Sequence, residues 1–525
     1  MSCEAVKKSK IVCLVVFIIC LFVRIYQINR VESVHIDSAL TSTITYSVNP
    51  KGVTYYIPQG EYTGRQLKEI FIPKHKDNIS ADLKNIYLKN GNDALHPNLY
   101  YFFFRVFTHS APNLDLQNLI KYGCGLNLIF FSFSFFLMYK LLDELFSKKD
   151  IIPFGLCVAF LNTSSISMTL FVRSYEMQAT AVIFFVYAFV KLIKKINIGE
   201  KFSKSDVLIL FSSSLFCMLS AYLLNMVLGI LYASIIAFLM LKKRFRDILT
   251  IFVVGIFTML CSFLIYPNYY AVLFASKMGE INSHTGSDGM LSALKFGYCR
   301  CLLTSHLFYI YSIIILIIGS FFKSEMKSRT YLQTFLIIAF FALFSVLCYI
   351  SPFPLLRYCS PMFPIMALLY PYILQNKTFI VRTIFSVLIA MTMLHASIFA
   401  KNVEEFEKPD YIIQTGHFYN LPTIQNLFIG HDKKRIFTQK PEYPVLFFYN
   451  GIEDYVDLIY FMADEQKYIF YNTYPLSTSD IIQAIKKHNL KNFYLAIPTN
   501  TRININGYTK RSYNAFEMFY ELNFK

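Results

Sequence analysis

Four polar groupings interrupt the apolar stretches of this 525-residue chain, and their residue types suit one kind of chemistry. Asp37 closes Val34-His35-Ile36-Asp37, just after the first apolar run. Asp93 and His96 precede an aromatic run that begins Pro97-Asn98-Leu99-Tyr100-Tyr101. Arg173-Ser174-Tyr175-Glu176 and Arg357-Tyr358 stand before later apolar runs. A carboxylate beside an acceptor hydroxyl or amine takes its proton. Arginines hold a phosphate by paired hydrogen bonds and stabilise it as it leaves. Pro97 is preorganised to start a helix with His96 at the cap, and the free N–H groups of such an end attract anions. The set therefore points to proton removal from an acceptor together with departure of a phosphate.

Each residue also has an ordinary reading. Asp37 suits a solvated loop, Asp93 a helix N-terminus that favours negative charge, and His96 a cap. Arg173 and Arg357 sit where arginines snorkel from span ends. Tyr100, Phe103, Phe104 and Phe107 share one helical side and suit interfacial packing. Their convergence at one side of a membrane is what would make a site, because ionisable groups at that depth are costly.

The elements that must position these residues are membrane spans. With 55% hydrophobic and 16% charged residues, the composition excludes an ordinary soluble enzyme, and the apolar runs are long enough to cross a bilayer. The net charge of +17 does not indicate nucleic acid, since Lys and Arg cluster beside the apolar runs, as in Lys242-Lys243-Arg244. That pattern follows the positive-inside rule. The first run, residues 11–28, reads as a retained signal anchor with its N-terminus in the cytoplasm. Further runs near 121–142, 151–171, 177–193, 206–222, 224–241, 247–266, 305–322, 330–350, 359–375 and 379–399 bring the expected total to eleven transmembrane helices. Charge parity then predicts that the helix after Pro97 does not cross.

On this topology the chain is a polytopic α-helical membrane protein, N-in and C-out. Residues 1–400 form its transmembrane domain, with residues 29–97 as a first external loop. The mildly amphipathic segment 64–88 predicts short helices along the membrane surface. Residues 401–525 change composition and predict a small external α/β domain, with strands at 444–449, 468–471 and 492–497 and a helix from Ser477 to His488. Most of the eleven cysteines lie in apolar runs and predict no disulfide framework. Cys299-Arg-Cys301 lacks the second pair that a structural metal centre needs.

The segment HPNLYYFFFRVF (96–107) resembles the HPPLYYLLL signature of the GT-C superfamily of lipid-dependent glycosyltransferases, especially bacterial relatives of protein O-mannosyltransferases and of the lipid A aminoarabinose transferase. LFVRSYEMQATAVIFFVYAF (170–189) resembles their aRpYaLl stretch, and RYCSPMFPIMALLYPYIL (357–374) their RYllPllPllall. The matches spread over residues 11–375. The resemblance implies an enzyme of the bacterial inner membrane, active face outward, that moves a sugar from a polyprenyl-phosphate donor to a glycan, lipid or protein acceptor. It implies Asp37 as the base, Asp93 as a second acid, and Arg173 and Arg357 facing the carrier phosphate; His96, Tyr100, Tyr175 and Tyr358 belong to the same motifs as substrate-binding candidates.

The chain departs from the pattern in several places. Asp37-Ser38 replaces an Asp-Glu pair, Asp93 stands three residues before His96 rather than two, and Asn98 replaces the second proline. Leu224 or Asn225 stands where a Tyr-x-His element has its histidine. Asp37, Asp93 and His96 would suit a divalent cation, Mg or Mn, with hard ligands. A transporter or flippase, or a polymerase or ligase of lipid-linked glycans, is the rival class. Transporters place substrate near the midplane among broken helices and internal repeats, whereas here the acids lie on an outer loop and no repeat is evident.

Overall fold

The computed structural model describes residues 3–31, 36–46, 57–72, 79–89, 97–269, 294, 298, 307–308, 310–324, 331–350, 356–399, 441–451, 455–456, 458–473, 475–498, 508–513 and 517–523. In chain order, α1 (Cys3–Ile28) is followed by α2 (Ile36–Tyr46), strand β1 (Gly60–Thr63), α3 (Gly64–Phe71), α4 (Ile79–Lys89) and α5 (Leu99–Phe107). Next come α6 (Leu116–Leu145), α7 (Ile152–Phe160), α8 (Thr163–Leu170), α9 (Tyr175–Asn197), α10 (Lys204–Met218), α11 (Leu224–Leu241) and α12 (Phe245–Ile265). Beyond them lie α13 (Ile310–Phe321), α14 (Tyr331–Ile350), short helical turns between Leu356 and Leu374, and α15 (Phe379–Phe399). The tail carries β2 (Val445–Tyr449), β3 (Lys467–Asn472), α16 (Thr478–Lys487), β4 (Asn492–Pro498), β5 (Tyr508–Tyr513) and β6 (Glu517–Asn523). The chain divides into two compact units, residues 1–29, 93–103 and 124–402 in one, and residues 30–92, 104–123 and 403–525 in the other.

The first unit is a helical bundle, and the chain is a multi-pass membrane protein. Among the described residues six helices are long and apolar enough to cross a membrane: α1, α6, α11, α12, α14 and α15. They become seven if α7 and α8 count as one bent span. Helix α9 is buried along most of its length and is the bundle's core. Faces of α1 (Leu14, Ile18, Phe22) and α12 (Phe252, Phe257, Leu264) stay exposed, the apolar surface that lipid rather than protein covers. Helix α5 has nine residues, too few to cross. Lys194 of α9 with Glu144 of α6, and Lys195 of α9 with Asp206 of α10, link helix ends at 2.6 Å each, and Arg382 of α15 pairs with Asp150.

The run at 151–171, read as a single span, is instead two helices meeting at 58°. Asn162 is the reason. Its side-chain oxygen accepts from the Ser165 N–H at 2.9 Å and caps α8. Its Nδ2 donates to the carbonyls of Val158 at 2.9 Å and Ala159 at 3.1 Å, in the last turn of α7. One buried amide thus serves two helix ends that would otherwise carry unpaired backbone groups. The run at 359–375 is also broken, into Ser360–Met362, Phe363–Met366 and Leu369–Leu374. Pro361, Pro364 and Pro371 each remove a backbone donor there.

The second unit is built on a six-stranded sheet of order β1-β3-β2-β4-β6-β5. Strands β3, β2 and β4 run parallel, with antiparallel β1 on one edge and β6 and β5 on the other. Strand β2, Val-Leu-Phe-Phe-Tyr, is buried throughout, as a parallel strand covered on both faces must be. Val445, Phe447 and Tyr449 meet Leu67 and Phe71 of α3 on one face. Leu446 and Phe448 meet Ile481 and Ile485 of α16 on the other. Ser477 and Asp480 form the capping box that starts α16.

The first-loop segment thus supplies an edge strand to the tail's sheet. Gly60 through Thr63 pair with Phe470 back to Lys467. The apolar face of α3 that reads as membrane-seeking covers the sheet instead. Gly64 allows the join, because a Cβ there would run into the backbone carbonyl of Ala463, its carbon only 2.8 Å away. The amides of Gly64 and Arg65 donate to the carbonyls of Gln466 at 3.1 Å and Asp464 at 3.0 Å.

Candidate functional site

In the bundle, three segments distant in sequence meet around Arg173. Helix α8 ends at Leu170 and α9 begins at Tyr175, leaving a four-residue turn that carries the arginine. Arg173 is 5% exposed, and its Nη1 donates to the Tyr101 hydroxyl, on α5, at 2.7 Å. The ring of Tyr175 lies 6.4 Å from that of Tyr358, centroid to centroid. Tyr358 packs against the buried group of Met168, Phe171, Tyr175 and Ala179. Arg357 precedes it in the helical turn Leu356–Cys359, with its side chain outside the described residues. Elements carrying all three motifs thus share one neighbourhood, in which the Arg173 guanidinium meets the Tyr101 phenol and the Tyr175 and Tyr358 rings meet each other.

The turn is fastened from behind. Asn127 of α6, fully buried, donates through Nδ2 to the carbonyl of Thr169 at 3.2 Å and of Phe171 at 2.7 Å. Its own oxygen accepts from the Tyr100 hydroxyl at 3.0 Å. Tyr100, a candidate from its place in the motif, is 1% exposed and holds this amide. Arg24 of α1, also fully buried, donates from Nε to the Thr169 hydroxyl at 3.0 Å and from Nη2 to the Ser165 hydroxyl at 2.8 Å. Its guanidinium lies 3.8 Å above the Phe131 ring. The Thr169 hydroxyl donates in turn to Glu176 Oε2 at 2.9 Å. One threonine thus stands between a buried cation and a buried carboxylate.

Sequence reasoning missed Arg24, Tyr101 and Asn127. Arg24 carried a usable signal, since an arginine within an otherwise apolar span needs an internal partner. Tyr101 and Asn127 carried none that separates them from neighbouring residues in their runs.

In the second unit Asp37 lies in the first turn of α2, half-buried, where the helix dipole favours its negative charge. The far end of α2 is tied down: the Tyr46 and Thr108 hydroxyls share a hydrogen bond of 2.7 Å. Arg105, fully buried, sits 4.7 Å from the Tyr46 ring centroid and donates from Nε to Asp82 of α4 at 2.7 Å. Burial pushes the Tyr46 phenol above its ordinary range. Asp93 and His96 lie outside the described residues, as do Cys299 and Cys301. Among the described residues no three of His, Cys, Asp and Glu come together in the manner of a metal site.

No protein-family model matches the chain, and no curated protein does. Among solved structures it is similar to ArnT from Cupriavidus metallidurans bound to undecaprenyl phosphate, with 9% identity over 82% of this chain and 88% of that one and a TM-score of 0.44. It is similar also to the same protein in the apo state, with 12% identity over 86% of this chain and 93% of that one and a TM-score of 0.43.

Proposed function

We propose that this protein transfers a sugar from a polyprenyl-phosphate carrier to an acceptor at the outer face of a membrane. The observation that carries the reading is the meeting of Tyr101, Arg173, Tyr175 and Tyr358 in one unit, from three segments whose motifs resemble those of lipid-dependent glycosyltransferases. A guanidinium is suited to hold a phosphate through paired hydrogen bonds, and the phenol that Arg173 meets is a neutral partner. In this reading Arg173 and Arg357 hold the carrier phosphate while it leaves, and Asp37 takes the proton of the attacking hydroxyl or amine. The isoprenoid tail stays in lipid. Direct displacement by the activated acceptor gives inversion at the sugar carbon.

A transporter or flippase is the second reading, and the break between α7 and α8 is what favours it, since discontinuous helices line transport sites. The polar groups at this break are taken up internally by Asn162 and Arg24, which leaves the transferase reading ahead.

The deciding experiment incubates purified protein with labelled polyprenyl-phosphate sugars and a panel of glycan, lipid and protein acceptors. Transfer releases free carrier and labels an acceptor. Movement across vesicles with no bond broken would establish the transporter instead. Asp37→Asn is expected to abolish transfer while the protein still reaches the membrane, and normal turnover by that variant removes Asp37 as base. Arg357→Ala is expected to weaken donor binding far more than acceptor binding.

A further inference from the structure

The polar groups behind Arg173 are too elaborate for a helix junction alone. A turn between two buried helices must dispose of the last carbonyls of the first helix, and water or one side chain is enough. Here the segment Met168–Tyr175 is gripped at two points, one from α6 and one from α1. Asn127 of α6 holds the carbonyls of Thr169 and Phe171, and the Tyr100 hydroxyl of α5 fixes which way that amide faces. Backbone carbonyls only accept, so the Asn127 nitrogen must point to the turn and its oxygen to Tyr100. At the second point the Thr169 hydroxyl is fixed in both roles, accepting from Arg24 and donating to Glu176. Burying a cation and a carboxylate in this way brings little net stability, because desolvation offsets their attraction. What it does bring is a single geometry.

That geometry bears on one exposed consequence. The Arg173 amide donates to the Phe171 carbonyl at 2.6 Å, so the arginine's backbone hangs from a residue that Asn127 holds. Its side chain reaches Tyr101, the neighbour in sequence of the residue that orients Asn127. Backbone and guanidinium are therefore both referred to the start of α5, through adjacent tyrosines.

We propose that Asn127, oriented by Tyr100, is a positioning residue for Arg173: it sets where the guanidinium meets the carrier phosphate, and it makes no contact with substrate itself. The Arg24–Thr169–Glu176 chain is the second fastening of the same turn. This rests on the transferase reading, in which Arg173 is a phosphate ligand.

The test is a double-mutant cycle on the full-length protein in lipid nanodiscs, with sugar-free polyprenyl phosphate as the probe. Asn127→Leu is expected to weaken its binding about tenfold when Arg173 is present, and less than about twofold in an Arg173→Ala background. Tyr100→Phe, which removes one hydroxyl and keeps the ring, follows the same pattern with a smaller loss and with melting close to wild type. A general loosening of the bundle would instead weaken binding by the same factor in both backgrounds. Equal factors, or no loss on Asn127→Leu, overturn the proposal while leaving the transferase reading in place. Wild-type affinity in Arg173→Ala alone removes Arg173 as phosphate ligand, and both readings of it fail together.

Discussion

At the scale of residues, the chain buries charge where a simpler core would serve. Arg24 and Glu176 are each without exposure, and only a hydroxyl links them. Removing one partner leaves the other as an uncompensated buried charge. Arg24→Met is therefore expected to cost roughly 3–5 kcal/mol, and the double change with Glu176→Leu to recover much of it. Thermal melting in detergent measures both, and a double variant no more stable than the single would show that the two charges are not coupled. Of the residues around the turn, Arg173, Tyr175 and Tyr358 were legible in the sequence because they sit inside motif-like strings. Asn127 was not, since nothing near it tells an asparagine that will hold a distant turn from one that faces a neighbouring helix.

At the scale of elements, apolar runs located the helices but not their interruptions. Helices α6, α9, α11, α12, α14 and α15 fall where the runs predict. The break after Phe160 went unread, because a polar residue within an apolar run is tolerated in many spans and only its hydrogen bonds reveal a cap. Asn162→Ala removes the cap on α8 and both bonds to the end of α7. The expected cost is about 1–2 kcal/mol. Asn162→Ser keeps an oxygen that can cap and is expected to lose less. Equal melting temperatures for the two variants would mean that the capping oxygen on α8 contributes nothing.

At the scale of the molecule, the sheet constrains topology without any reference to charge. Residues 60–63 and 467–470 share a hydrogen-bonded ladder, which cannot run through a bilayer, so both lie on one side of it. The number of crossings between them is then even, whichever of the shorter helices span. The tail's parallel strands and α16 were legible from alternating apolar runs and the Ser-Thr-Ser-Asp cap. Strand β1 was not: Gly-Glu-Tyr-Thr is too short for a periodic signal, and its partner is remote in sequence.

Two changes test the join between loop and tail. Gly64→Ala drives a methyl group into the Ala463 carbonyl, so the expected outcome is a loss of about 1–3 kcal/mol and faster proteolysis between β1 and α3. Survival of the wild-type cleavage pattern would show that the backbone there yields easily. Glu61 makes the second test. It accepts from Lys467 at 2.6 Å and pairs with His488 at 2.7 Å. The Lys467 hydrogen bond holds its carboxyl below the ordinary value of 4.5, with His488 adding to the effect. A lowered folded-state value means the contribution is present above the unfolded one and is lost as pH falls through the folded one. Glu61→Gln should therefore melt below wild type at neutral pH, with the gap closing under acid conditions. A gap that persists in acid would assign the loss to packing.

The edge position of β1 also has a bearing on biosynthesis. Its partner strand follows roughly four hundred residues later, and closing so long a loop is slow compared with forming local structure. A ribosome delivers Asp37, α2 and β1 early, yet the strand that receives β1 emerges only after every intervening helix has been made. During translation the loop bearing the proposed base thus waits beside an unfinished sheet. Acquisition of activity should coincide with completion of the tail, so that a nascent chain already threaded into the membrane remains inert until its far end arrives.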